Sequence, residues 1–123
     1  MSIMILKRGQ IWWVDLDPTQ GSEIQKKRPC VIVSSDAAVR LPVKIVVPLT
    51  DWSDSFATSH FHVRVEVTDA KAFDAAGLTR GGAADVMQIR CVSNKRFGDY
   101  IAQMSAGKME EIAAAIASII EYA

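Results

Sequence analysis

At 123 residues the chain has the length of one domain, and half of its residues are hydrophobic, enough for a packed core without disulfides or a structural metal. Basic and acidic residues balance at 14 each, so the formal net charge is zero. That balance argues against a non-specific nucleic-acid coat, which needs a strong basic excess, but it allows a local basic patch. Cys30 and Cys91 lie far apart, with no CxxC and no zinc-ligand spacing. Each sits in an apolar run and reads as a buried, reduced core residue. In MSIMILKRG the few apolar residues precede the basic pair, the reverse of a secretory signal, and no stretch approaches the ~20 apolar residues of a membrane span. The expectation is a soluble, cytoplasmic protein.

Gln10 to Leu16 has strand composition, with Trp12, Val14 and Leu16 on one face and Ile11, Trp13 and Asp15 on the other. One tryptophan is expected in the core and the other free for stacking or for a dimer contact. Pro18 and Gly21 mark a loop. Pro29 to Ser34 is a nearly continuous β-branched run, as in a central strand, and Val43 to Leu49 repeats it with Pro48 near its end. His60 to Val67 alternates strictly, with Phe61, Val63, Val65 and Val67 facing one way and His60, His62, Arg64 and Glu66 the other. Ala70 to Ala76 suits a short helix closed at Gly77, and Gly81-Gly82 a turn. Val86 to Val92 reads as a further strand, while Asn94 to Tyr100 is short and polar and carries no assignment. In the tail, Met109, Ile112, Ile116, Ile119 and Ile120 recur at helical steps over Lys108 to Tyr122. Ser105 is placed to cap that helix, and Glu110 and Glu111 suit its positive end. The whole chain, 1–123, reads as one mostly antiparallel β domain closed by a C-terminal helix.

Three segments carry polar residues at strand edges. The first, Glu23 to Arg28, follows one carboxylate with the cations Lys26, Lys27 and Arg28. Arg28 precedes Pro29, so its backbone is biased to be extended and its guanidinium leaves from a fixed point, suited to gripping a phosphate through two parallel hydrogen bonds. The second is Pro48-Leu49-Thr50, where a strand ends on a hydroxyl. The third is Gln88-Ile89-Arg90, with Lys95 and Arg96 just after. His60 and His62 share a strand face, but no third metal ligand is evident nearby, and they read as exposed-face residues. Ser34-Ser35-Asp36 lacks the glycines of a nucleophile elbow, and no P-loop, GxGxxG or HExxH occurs.

Taken in order, KRGQIWWVDLDPTQGSEIQKKRPCVIVSSD, VVPLT, FHVRVEV, GL and QIRCVSNKRF resemble the MazF/PemK family of toxin–antitoxin ribonucleases. The resemblance runs from Arg8 to the C-terminal helix, and its opening pattern, RG-x-I-x-W-V-D-x-D-P-T-x-GSE followed by RP, is long and specific. It implies a small SH3-like barrel with a C-terminal helix, usually a homodimer, that cuts single-stranded RNA at short motifs without a metal or other cofactor and is blocked by a cognate antitoxin. The family's catalytic Arg and Thr match Arg28 and Thr50, and the Glu implicated in some members matches Glu23. Lys26 and Lys27 would attract the RNA strand or stay solvated. Gln88 and Arg90 match the family strand, as RNA contacts or in a structural or dimer role.

That implied chemistry fits the residue types. RNA brings its own nucleophile, the 2′-hydroxyl, so the protein need only align it, help remove its proton and stabilise the anionic phosphorane. Arg28 suits charge stabilisation or donation to the leaving oxygen, and its pKa above about 12 makes it a poor base. Thr50 would hydrogen-bond a non-bridging oxygen. Glu23 is the base candidate, although a nearby arginine would weaken it in that role. The expected products are a 2′,3′-cyclic phosphate and a 5′-hydroxyl, and DNA should not be cut. Two places depart from the pattern: Ile24, where many members have a polar residue, and GLTRGGAAD before the QIR strand. Competing readings are a gyrase-binding toxin of the same fold, an inactive homologue that only binds antitoxin, and a His60/His62 metal hydrolase.

Overall fold

The computed structural model describes residues 5–66 and 81–122. Among them are strands β1 (Gln10–Asp15), β2 (Lys27–Ile32), β3 (Val43–Asp51), β4 (His62–Val65), β5 (Gly82–Asp85), β6 (Arg90–Ser93) and β7 (Phe97–Gln103), followed by helix α1 (Ala106–Ile119). All pairings are antiparallel and the strand order is β4-β5-β3-β2-β1-β7, with β6 also on β3. The helix expected over Ala70 to Ala76, with Gly77 and Val67, lies outside the described residues.

β3 organises the sheet. Along one edge it pairs first with β6 (Val46 opposite Arg90) and then with β5 (Leu49 opposite Ala84), and between these it holds β2 on its other edge (Cys30 opposite Pro48). β5 and β6 meet β3 in different registers, so the chain between them must take up the offset. It does so in a 3-10 turn, Val86–Gln88, closed by the Ile89 N–H on the Val86 carbonyl. This corrects the single strand expected over Val86 to Val92, of which only Arg90–Ser93 is strand.

Side chains on the two faces of the sheet form two cores. One gathers Ile11, Val31, Val47, Leu49, Val65, Ala84, Val86, Ile101 and Met104 with Met109 and Ile112 of α1. Val65 of β4 and Ile101 of β7 come from opposite ends of the strand order yet share this core, so the sheet is curled into an open barrel, with no hydrogen bonds joining β4 to β7 among the described residues. The other core holds Trp12, Val14, Leu16, Cys30, Ile32, Val46 and Val92. Each fully buried Val, Leu or Ile contributes about 1.5–3 kcal/mol of transfer free energy. Both tryptophans of β1 therefore pack: Trp12 is buried edge-on against Phe97 and Tyr100, and Trp13 leans on the first core.

β5 replaces the expected Gly81-Gly82 turn at its second residue. Gly81 has φ +82°, and a Cβ there would stand 2.6 Å from the Val65 carbonyl oxygen, so only glycine lets the chain enter β5 this close to β4. α1 starts at Ala106, earlier than the periodicity suggests, because the Ser105 hydroxyl accepts the Lys108 N–H at 3.2 Å and caps it there. Lys108 and Glu111 form an ion pair at 2.8 Å. Met109 and Ile112 are buried and Ile116 and Ile119 lean on the core, but the helix ends at Ile119, and Ile120, expected in the apolar stripe, is 68% exposed. Among the described residues no helix is long and apolar enough to cross a membrane.

Candidate active site

β2 and β3 bring Arg28 and Thr50 together. Cys30 is paired with Pro48, and carrying that register on by two residues sets Arg28 opposite Thr50 on the same face, at the point where β3 passes from β2 to β5. Arg28 is exposed. Its Nε donates to the Gln25 carbonyl at 3.3 Å, and its two terminal nitrogens have no partner among the described residues. Thr50 is half-buried and its hydroxyl has no partner among the described residues. Across β5 the same row continues through Ala83 to Arg64, whose guanidinium lies 4.7 Å over the Trp52 ring and pairs with Glu66 at 2.7 Å.

The loop between β1 and β2 carries Glu23 and is stitched at its base. The Asp17 carboxylate accepts the Lys26 N–H at 3.0 Å, the Leu16 N–H donates to the Lys26 carbonyl at 3.0 Å, and Lys26 takes a left-handed backbone, φ 69°. Arg96 donates to the carbonyls of both Asp15 and Asp17, and Arg90 donates to the Leu16 carbonyl at 3.1 Å. At the tip, the Glu23 carboxylate accepts the Gln20 N–H at 2.7 Å and makes no ion pair with Arg28. Gln88 grips the loop on either side of Glu23: its Oε1 accepts the Ile24 N–H at 3.1 Å and its Nε2 donates to the Ser22 carbonyl at 3.2 Å.

Of the residues expected at a site, Arg28 and Thr50 face one another, Glu23 stands apart on the exposed loop, and Gln88 and Arg90 bond protein backbone. Lys26 and Lys27 are exposed. Lys27, next to Arg28, points to the opposite face of the sheet, where it lines a groove of about 330 Å³ with Trp13, Asp15, Lys95, Arg96 and Phe97.

Cys30 is buried beneath this region, and burial pushes its thiol up to about 12, against the opposing pull of the Arg90 and Arg28 guanidiniums. Cys91, expected to be buried, is exposed: it stands at the end of β3 farther from Arg28, paired with Ile45, itself 41% exposed. His62 is half-buried rather than exposed, stacked on Phe56 at 3.8 Å with Nδ1 2.7 Å from the Ser59 hydroxyl and Nε2 3.6 Å from Asp85. It is a packing residue of β4, and no group of three His, Cys, Asp or Glu side chains able to hold a metal occurs among the described residues.

A curled antiparallel sheet closed by a C-terminal helix, with donors unpartnered among the described residues at the ends of β2 and β3, can be compared with known families. The model of PemK-like, MazF-like toxins of type II toxin–antitoxin systems matches residues 7–120. The chain belongs to that family. Endoribonuclease MazF9 of Mycobacterium tuberculosis is 32% identical to it over 114 residues, covering 88% of this chain and 90% of its own. The solved MazF of Deinococcus radiodurans superposes with a TM-score of 0.76 at 18% identity, covering 97% of this chain and 99% of its own. A mycobacterial endoribonuclease solved in complex with its cognate antitoxin gives 0.71 at 22% identity, covering 94% of each chain. These last two likenesses bear on the fold.

Within this MazF-like frame the residues that tie the β1–β2 loop do so through contacts the sequence does not show, Gln88 included, expected as an RNA contact or in a structural or dimer role. Asp17 and Arg96 tie its base, and Gln88 ties its tip from 64 residues away. Side chain-to-backbone bonds over such distances leave no local signature. Lys95 and Arg96 stand out in sequence only as cations after a strand.

Proposed function

We propose that this chain is the toxin of a type II toxin–antitoxin pair, an endoribonuclease that cuts single-stranded RNA through the substrate's own 2′-hydroxyl. The observation that carries the reading is the register of β2 with β3, which, continued two residues past Cys30 and Pro48, sets Arg28 opposite Thr50, with the terminal guanidinium nitrogens and the hydroxyl unpartnered among the described residues. A phosphate seated there would meet the guanidinium fork and the hydroxyl together, donors suited to the charge that develops on it. The 2′-oxygen attacks phosphorus, its proton passes to a base, the bond from phosphorus to the 5′-oxygen breaks, and that oxygen takes up a proton. The products are a 2′,3′-cyclic phosphate and a 5′-hydroxyl. Arg28 stabilises the phosphorane and protonates the leaving oxygen, and Thr50 donates to a non-bridging oxygen. Glu23 is the carboxylate on the adjoining loop that accepts the 2′-proton once its side chain turns from the Gln20 N–H toward the substrate, the loop backbone staying in place; apo distances at such a site often tighten only with substrate. Lys26 and Lys27 add attraction for the strand.

The partner is a cognate antitoxin, a reading supported by the mycobacterial relative solved with its own, and the working unit is a homodimer in the cytoplasm. The test is cleavage of a long, unstructured RNA by the purified protein in EDTA, beside Arg28→Ala, with the 5′ ends of the products mapped. Cuts at one short motif by the wild type alone are the expected result. The absence of cuts in any RNA overturns the reading.

A further inference from the structure

We infer that Gln88 is a positioning residue that sets the Glu23 carboxylate for catalysis without itself binding RNA, an inference that rests on the ribonuclease reading above. The two bonds of its amide go to the peptide groups flanking a single residue: the Ser22 carbonyl before Glu23 and the Ile24 N–H after it. One side chain thereby fixes the backbone on both sides of Glu23. The loop has few other restraints at this level. Glu23, Gln25, Lys26 and Lys27 are exposed, and the remaining bonds at the tip are the short-range ones between Gln20 and Glu23, which hold the turn's shape but not its place on the barrel. Ile24, half-buried against the core of Trp12 and Cys30, is the one apolar anchor.

Gln88 is itself held firmly. It is the last residue of the 3-10 turn whose first residue, Val86, is fully buried and has its N–H donating to the Phe61 carbonyl at 2.9 Å. The grip runs from a packed element to a loop that lacks packing, as expected where a carboxylate must be placed accurately on a flexible segment. One N–H and one lone pair of the primary amide are committed to the backbone on the two sides of Glu23, and it is through these bonds that Gln88 acts on the reaction. Misplacing a reacting group by about 1 Å reduces rate by up to ~10²-fold.

The test uses Gln88→Met, which keeps length without polarity, and Gln88→Glu, which can accept from Ile24 but, when ionised, cannot donate to Ser22. Steady-state cleavage of an RNA bearing the mapped motif, the exchange rate of the Ile24 amide proton and the melting temperature are measured for each. Gln88→Met is expected to lower kcat by about 10- to 100-fold with KM held within about twofold, to speed Ile24 exchange, and to leave global melting nearly unchanged. Gln88→Glu should recover activity relative to the wild type as pH falls through the ordinary carboxyl range near about 4.3, because the protonated group donates again; Gln88→Met should show no such recovery. A raised KM with kcat intact, which marks direct RNA contact, overturns the inference, as does Ile24 exchange that is the same in all three proteins. A wild type that cuts no RNA ends the ribonuclease reading, and the Ile24 amide then still decides whether Gln88 holds the loop.

Discussion

Carried two residues beyond its last formal pair, Cys30 with Pro48, the register of β2 with β3 sets Arg28 opposite Thr50. On the proposed mechanism a guanidinium and a hydroxyl placed this way act on one phosphate as a unit. Arg28→Lys keeps the charge but loses the fork, and Thr50→Val keeps the shape but loses the hydroxyl. Each is expected to lower kcat by roughly 10²–10³-fold with a smaller change in KM. Since that mechanism has both residues contact the same group, the double variant should fall well short of the product of the two losses. Single-turnover cleavage of the three variants checks this, and strictly multiplicative losses would show that the two residues act separately.

Cys30 gives a pH dependence with a definite sign. Its thiol is raised from 9.0 to about 12 by burial, so the unfolded chain releases this proton first. The stability contributed by the protonated thiol is intact below about pH 9 and is lost progressively as pH rises toward about 12. Cys30→Val should remove that part of the alkaline decline. Urea midpoints of the two proteins between pH 8 and about 11 should diverge with rising pH, and parallel curves would contradict the assignment.

Lys44 is the one buried charged side chain among the described residues, at 3% exposure. Its ammonium donates to the carbonyls of Val39, Leu41 and Val43 and to the Asn94 side chain at 2.8–3.3 Å, tying the β2–β3 connection to the turn before β7. Lys44→Met fills similar space but leaves these oxygens without their donor, and should lower stability by about 1–3 kcal/mol in chemical denaturation. An unchanged midpoint would mean that water replaces the ammonium.

Helix α1 offers a graded series. Ile112 is fully buried, so Ile112→Ala should cost about 2–5 kcal/mol, while Ser105→Ala, which removes the N-cap, should cost ~1 kcal/mol. Ile116→Asp, on the half-buried part of the stripe, should also destabilise, by placing a carboxylate against the first core. If Ile112→Ala melts like the wild type, the helix does not close the barrel in solution.

The first half of the sheet was legible because its signals are local. β1, β2 and β3 are β-branched runs set off by Pro18, Gly21 and Pro42. β5 was not, since Gly82, Ala83 and Ala84 are chosen for small size in a tightly covered place rather than for strand propensity. β7 looked too polar because Gly98, Asp99 and Tyr100 lie on its exposed stretch while Ile101 and Ala102 carry the burial. Arg28 and Thr50 were singled out by their motifs, but their facing depends on the register of β2 with β3, a property of pairing and not of either segment. The role of Gln88 depends on a contact across 64 residues, beyond the reach of any local pattern.

The cage around Lys44 has a practical side. Amine acylation needs an accessible, deprotonated nitrogen, and the Lys44 nitrogen is walled in by oxygens in the folded chain, whereas Lys26, Lys27 and Lys95 are open to reagent. Acetylation read by mass spectrometry therefore carries its own reference: Lys44 stays unmarked for as long as β3 is seated, so marks lost at Lys26, Lys27 or Lys95 on adding RNA or an antitoxin report coverage of the surface, and a mark gained at Lys44 reports that the protein has opened.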